Sequence, residues 1–204
     1  MTSKIWLTNK AGVFGNLNSD VICDISSIFS QIYRCDVKEF MCFEYYIFYN
    51  AFMFFAEKAE KICLLVANVI NNEDSSVALE KLIEGLPNLK DLNYYTEDDN
   101  ENIITPTTFQ KLLKIPHFLT LDKLTLRYIP EVADIDIFSD YIKRNKKTRI
   151  HFEFWYELSE QYKTRLQEII DEIVETEYHE YKVPLIEFQG HTNYTKLREL
   201  YGSY

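Results

Sequence analysis

After residue 60 the chain repeats one pattern: a short stretch of alternating apolar and polar residues, then a helix-like stretch of similar length. The alternating stretches are anchored at Leu92, Leu124, Ile150 and Ile186, which are 32, 26 and 36 residues apart. Alternation with a period of two predicts strands, whereas apolar residues at i, i+3 and i+4 predict amphipathic helices. Units of this size cannot bury their apolar faces alone, so they stack around a shared core. The sequence therefore predicts an α/β fold, a short and irregular strand–helix array with a parallel sheet.

Individual elements of the array can be placed from local signals. The predicted strands cover residues 61–70, 91–95, 123–128, 149–155 and 185–189. Helices are predicted to begin at residues whose side chains can cap a first turn, and the last helix covers residues 194–201. The predicted starts are Ser75 or Ser76, Thr105, Asp134 and Ser159.

The first 60 residues do not follow the repeat, and their patterns predict three short helices. Asn18 or Ser19 can cap the first, whose apolar stripe runs from Val21 to Phe29. Asp36, with Glu39 three residues later, predicts the start of a second helix that carries Val37, Phe40 and Met41. The third covers about residues 47–59. Residues 13–57 are thus predicted to form a helical unit, and residues 58–204 the array.

This N-terminal unit resembles an F-box. Leu17 matches the opening leucine of that motif, the stripe from Val21 to Phe29 matches its first helix, and Asp36 matches the start of its second. The resemblance implies docking on a Skp-type adaptor protein. The residues that it implies for adaptor binding are Leu17, Val21, Ile22, Ile25, Phe29, Val37 and Phe40.

The rest of the chain resembles the C-terminal, repeat-bearing region of nematode-type F-box proteins. The strings that carry this resemblance are Leu-Pro-Asn-Leu-Lys at 86–90, Ile-Pro-Glu-Val at 129–132 and Asp-Glu-Ile-Val-Glu-Thr-Glu at 171–177. Residues 86–92 also resemble one turn of a leucine-rich repeat. Together these resemblances imply a substrate-receptor subunit of a Skp–cullin–F-box ubiquitin ligase, in which other subunits transfer ubiquitin. The alternative is a repeat-type protein-binding module outside any ligase, whose N-terminal helices only cap the array.

Composition limits the partners and the compartment. A net charge of −10 works against nonspecific binding to nucleic acid or anionic membranes. The most apolar stretch, residues 40–55, is too short and too mixed to span a bilayer. Four cysteines lie in the first third without a C-x-x-C pair or a preceding signal peptide. Reduced thiols in the cytoplasm or nucleus are the expectation.

The sequence lacks the motifs that usually carry chemistry. It contains no H-E-x-x-H, G-x-S-x-G, G-x-G-x-x-G or P-loop pattern, and its His and Cys residues are not spaced as metal ligands. We therefore expect neither enzymatic activity nor a cofactor or metal.

Recognition is expected on the sheet face that points away from the helices. Alternation places Leu92, Leu124, Phe152 and Ile186 inward, and it places the intervening residues outward, with Thr125 and Arg149 among them. Trp, Tyr and Arg dominate binding hot spots. The predicted target-binding residues are Asn93, Tyr95, Arg127, His151, Glu153, Trp155 and Glu187. The alternative is a mixed, solvated face with Trp155 packed under a loop.

Overall fold

A computed structural model describes residues 5–14, 31–95, 103–154 and 157–203. The fold is α/β with parallel strand pairing, as predicted, and the chain divides into two compact units, residues 1–103 and 104–204. No helix in the described ranges is both long and apolar enough to cross a membrane. The predicted first helix, with Leu17, Val21, Ile22, Ile25 and Phe29, lies outside the described residues, as does Trp155.

Within its described residues, the first unit contains a parallel sheet whose strands follow the order of the sequence. The strands are β1 (Ile5–Phe14), β2 (Ile32–Phe48), β3 (Lys61–Ile70) and β4 (Asp91–Tyr95). Helix α1 (Tyr49–Ala56) connects β2 to β3, and α2 (Leu79–Glu84) connects β3 to β4. The boundary predicted at residues 57 and 58 lies inside this unit, between α1 and β3.

The described part of the second unit contains β5 (Lys123–Ile129), β6 (Arg149–Phe154) and β7 (Leu185–Glu187), which also pair in parallel and in sequence order. Its helices are α3 (Thr108–Leu112), α4 (Ile135–Ile142), α5 (Glu160–Glu175) and α6 (Tyr194–Gly202), with a 3-10 turn at Phe118–Thr120. Parallel neighbours need a crossover connection, and the helices supply it.

The strands and helices predicted after residue 60 are present, but some limits differ: the helix predicted from Thr105 begins at Thr108, and β7 ends at Glu187. Strands β3 and β4 have the predicted limits. The side chains of Asp134 and Ser159 cap α4 and α5, because they accept hydrogen bonds from the backbone amides of Ile137 and Tyr162. Helix α2 begins later than predicted. The reason is that Ser76 Oγ accepts a hydrogen bond from Asn68 Nδ2 at 2.9 Å, so this hydroxyl serves a turn and not a cap.

The inward-facing set is buried as predicted. In the second unit, Phe152 packs against Phe109 and Phe138, with ring centroids 5.9 and 4.5 Å away. In the first unit, Phe40 packs against Phe52 and Phe55 of α1, each at 5.8 Å. Aromatic rings at such distances contribute more than their buried area alone. Each unit therefore has its own aromatic core.

The predicted helix from Asp36 is wrong, because residues 32–48 form β2, a single strand of 17 residues. Its register with β1 shifts between Asn9↔Val37 and Lys10↔Glu39, which leaves Lys38 as an extra residue. A bulge of this kind restarts the alternation one residue later. Val37 and Phe40 consequently share the buried face although they are three residues apart, the spacing of a helix.

Further irregularities in the strands use left-handed backbone. Glu44, Val66 and Tyr128 have φ values of 50°, 53° and 61° within β2, β3 and β5. After each, the buried positions change parity: Cys42 is followed by Tyr45, for example. The register pairs Phe43 with Leu65 and Tyr45 with Ala67, so Glu44 lies opposite Val66. The two left-handed residues therefore occupy the same register position, and the pairing of β2 with β3 continues on both sides without a shift.

Candidate binding cleft

A cleft of about 520 Å³ opens in the second unit where β5, β6 and β7 end. Parallel strands bring their carboxyl ends to one edge of a sheet, and α/β proteins bind ligands at that edge. The cleft brings together four of the predicted target-binding residues: Arg127, His151, Glu153 and Glu187. The remaining wall includes Tyr128, Phe188, Gln189, His191 and Tyr194.

The charged side chains form a row across the three strands. Arg127 of β5 pairs in register with Glu153 of β6, and Glu153 pairs with Glu187 of β7. Arg127 Nε lies 3.7 Å from Glu153 Oε2. This Nε atom is buried and makes no hydrogen bond to any described residue. The row thus has the sign pattern plus, minus, minus.

His151 lies beside this row, two residues before Glu153 on β6. Its Nε2 is 2.5 Å from Glu187 Oε2. A carboxylate only accepts hydrogen bonds, so Nε2 carries the proton and donates it. This hydrogen bond orients the Glu187 side chain. The second carboxylate oxygen of Glu187 makes no hydrogen bond to another described residue.

An aromatic wall closes one side of the cleft. The rings of Phe188 and His191 are 5.2 Å apart, and those of His191 and Tyr194 are 5.4 Å apart. His191 Nδ1 donates to the carbonyl oxygen of Thr192 at 3.0 Å. This bond leaves His191 Nε2 as the ring atom that can meet a ligand.

Tyr128 marks the strained point of the wall. Its φ of 61° accompanies a register shift, in which Arg127 pairs with Glu153 and Ile129 pairs with Phe154. A bulky residue in left-handed backbone costs about 1–2 kcal/mol. The bulge brings Tyr128 to the cleft and also returns Ile129 to the core, where it is fully buried.

Helix α6 covers part of the face that was expected to be open. The guanidinium of Arg149 lies 4.3 Å from the centroid of the Tyr201 ring, and the His151 ring lies 6.5 Å from it. Thr125, which was predicted to point outward, is the register partner of His151 but is only 3% exposed. The accessible surface is therefore the cleft, and not the whole sheet face.

Other predicted residues lie elsewhere. Asn93 and Tyr95 belong to β4 of the first unit, where Asn93 Nδ2 is 3.6 Å from Cys63 Sγ. Val37 and Phe40 are fully buried in β2, so their side chains are not available to an adaptor in this fold. Assigning them to adaptor binding required a helix at Asp36, which is a strand.

Sequence reasoning missed the aromatic wall of the cleft. Tyr128, His191 and Tyr194 lie outside the alternating pattern, at a bulge and after the end of β7. Tyr128 lies near the end of β5 and His191 in the segment after β7, and this proximity to strand ends was the available signal, because side chains there meet at one edge.

The described residues show no metal cluster, and burial disfavours the thiolate of two of their cysteines. No group of three or more His, Cys, Asp or Glu residues among them is arranged to hold a metal ion. Burial raises the pKa of the Cys42 thiol to about 12 and also raises that of Cys35. Both thiols are therefore protonated near neutral pH, whereas a nucleophilic cysteine needs the thiolate.

Comparisons with protein-family models, curated proteins and solved structures found no match to this chain.

Proposed function

We propose that the chain is a protein-interaction module that holds a segment of a partner protein in the cleft of the second unit. The observation that carries the proposal is the convergence of four charged or polar side chains and an aromatic wall at the carboxyl ends of three strands. Aromatic and arginine side chains around a concave site are the residue types on which binding energy concentrates. No enzymatic step is part of this proposal.

The array itself supports a binding role. Strands that follow one another in sequence and pair in parallel are the arrangement of stacked repeats, whose strand and loop surfaces serve recognition. We place α6 as the element that closes the end of this array. Leu197 of α6 is fully buried. Asn193, the residue before α6, donates a hydrogen bond from Nδ2 to Asp171 Oδ1 of α5 at 2.9 Å.

The proposal can be tested with a displayed library of linear peptides, selected on the purified full chain. Gln189 lines the cleft and is exposed, so Gln189→Trp should fill the cleft without disturbing the core. Lys196→Trp, at an exposed position of α6 that does not line the cleft, is the matched control. Peptides enriched by the wild type should bind the control equally and Gln189→Trp at least about tenfold more weakly.

Two results would refute the binding role of the cleft. One is a selection that enriches no peptide over a chain-free surface. The other is enriched peptides that bind Gln189→Trp as tightly as the wild type, since they would then occupy another surface.

A narrower proposal keeps the ligase role, with a Skp-type adaptor as the partner and the cytoplasm or nucleus as the compartment. Its support is the resemblance of residues 17–29 to an F-box helix. The strand at residues 32–48 removes the second helix from that resemblance. Co-purification with a Skp-type adaptor tests it, and Ile22→Asp with Ile25→Asp should abolish binding. An adaptor that fails to bind the wild type, or binds the variant equally, excludes this role.

A further inference from the structure

The charges in the cleft are unequal, and the imbalance indicates which partner side chain fits. Glu153 and Glu187 are register partners on adjacent strands, and their side chains are 37% and 25% exposed. Like charges directly opposite each other on neighbouring strands destabilise a sheet. Two carboxylates in this position are therefore a cost that a cation between them would offset.

The protein offsets only part of this cost by itself. Arg127 supplies the one full positive charge of the row, and it lies against Glu153 at 3.7 Å from Nε to Oε2. Glu187 receives a hydrogen bond from His151, which a neutral imidazole can also donate. Counted without the two histidines, the side chains that line the cleft carry a net charge of about −1, from one arginine and two glutamates.

The aromatic wall suits the rest of a basic side chain. Lysine and arginine have long apolar stems that pack on rings, and their charged ends are attracted to ring faces. The chain already uses this contact next to the cleft, where the guanidinium of Arg198 lies 5.9 Å from the centre of the Tyr194 ring.

We propose that the cleft recognises a basic side chain, arginine or lysine, of the partner segment, with its N–H groups between Glu153 and Glu187 and its stem along Phe188, His191 and Tyr194. This inference rests on the proposed binding function and names the chemistry of the partner. A volume of about 520 Å³ leaves room for neighbouring residues of the same segment.

The selected peptides themselves provide the first measurement. Peptides that depend on the cleft should share an arginine or lysine at one position, and its replacement by glutamine should weaken binding at least about tenfold. Loss of a hydrogen bond to a charged group has this order of magnitude. Binding should also weaken as salt is added, because the attraction between partly exposed charges is screened.

Variants of the chain provide the second. Glu153→Gln and Glu187→Gln keep the side-chain shape, and each should weaken binding of the basic peptide about tenfold while leaving its glutamine analogue within about twofold. Glu160→Gln, which changes an exposed side chain of α5, is the matched control and should leave both affinities unchanged. Thermal unfolding of all three variants at or above the wild-type temperature establishes that they fold.

The outcomes separate the inference from the function on which it rests. Cleft-dependent peptides without a shared basic residue, or basic peptides indifferent to both glutamine variants, would overturn the inference and leave the binding function standing. A selection without any cleft-dependent peptide would overturn both.

Discussion

Strand β2 of the first unit and strand β6 of the second are both parallel strands, but their buried residues follow different sequence patterns. In β6, buried positions alternate strictly over six residues. In β2, buried positions fall at 37, 40, 42, 45 and 47, so the alternation is interrupted twice after residue 37. An irregularity in a strand can therefore imitate helical spacing, because the next buried residue lies three positions away and not two.

The largest expected effect tests that comparison in the two cores. Phe152→Ala and Phe40→Ala should each lower the free energy of unfolding by about 3–5 kcal/mol, measured by urea denaturation. Both rings are fully buried among other aromatic rings. Met41→Ala should cost far less, about 1 kcal/mol, because β2 turns Met41 to the half-buried face.

A helix at residues 36–41 would predict a different result. It would place Met41 beside Val37 and Phe40 on one apolar stripe. Equal costs for Met41→Ala and Phe40→Ala would therefore contradict the strand and restore the helix.

The next effect concerns the left-handed residue in β3. Val66 is β-branched and has a φ of 53°, whereas Val69 lies in the same strand, is fully buried and is not among the residues with positive φ. Val66→Gly relieves strain of about 1–2 kcal/mol but adds the entropic cost of glycine, so stability should change by less than about 1 kcal/mol. Val69→Gly should lower it by about 3 kcal/mol.

Thermal or urea unfolding of the two glycine variants decides the matter. If Val66→Gly proves as damaging as Val69→Gly, the left-handed backbone at Val66 is not part of the folded chain. The paired irregularity at Glu44 and Val66 would then lose its support.

These differences explain which features could be predicted from the sequence. Strands β3 to β7 and the caps Asp134 and Ser159 follow from alternation and first-turn chemistry, which are local. Strand β2 could not be predicted, because the Lys38 bulge is defined by the register with β1. The charged half of the cleft followed from alternation, whereas Tyr128 reaches it through a bulge and Tyr194 through the packing of α6.

A smaller effect concerns the hydrogen bonds between Glu131, in the segment after β5, and Ser159, at the start of α5. Ser159 donates to Glu131 from its amide and its hydroxyl, both at 2.6 Å, and these bonds hold the pKa of the Glu131 carboxyl below its usual value. Ser159→Ala removes both the cap and one of these bonds, and should cost about 1 kcal/mol.

The effect of Glu131→Gln should depend on pH. A carboxyl whose pKa is lower in the folded state stabilises the fold above its unfolded pKa, and this contribution is lost as pH falls through the folded value. The variant should therefore be less stable than the wild type at neutral pH and should approach it in acid. A stability difference that stays constant from neutral pH into acid would contradict the hydrogen bonds to Ser159.

The smallest effects compare the charge rows of the two units. In the first unit, Lys10, Glu39 and Lys61 are register partners on β1, β2 and β3, a balanced row of plus, minus, plus. The two lysines lower the pKa of Glu39, with Lys10 the larger cause. In the second unit, the corresponding row of Arg127, Glu153 and Glu187 is plus, minus, minus.

Removing one charge from each row should therefore shift the unfolding temperature in opposite directions. Lys61→Gln should lower the unfolding temperature slightly, and by less in 1 M salt, because exposed ion pairs are weak and are screened. Glu187→Gln should raise it slightly in the absence of a partner, because the variant removes a like-charge contact and keeps an oxygen for His151. Two shifts of the same sign would mean that the rows are equally balanced, which would remove the charge imbalance from the cleft.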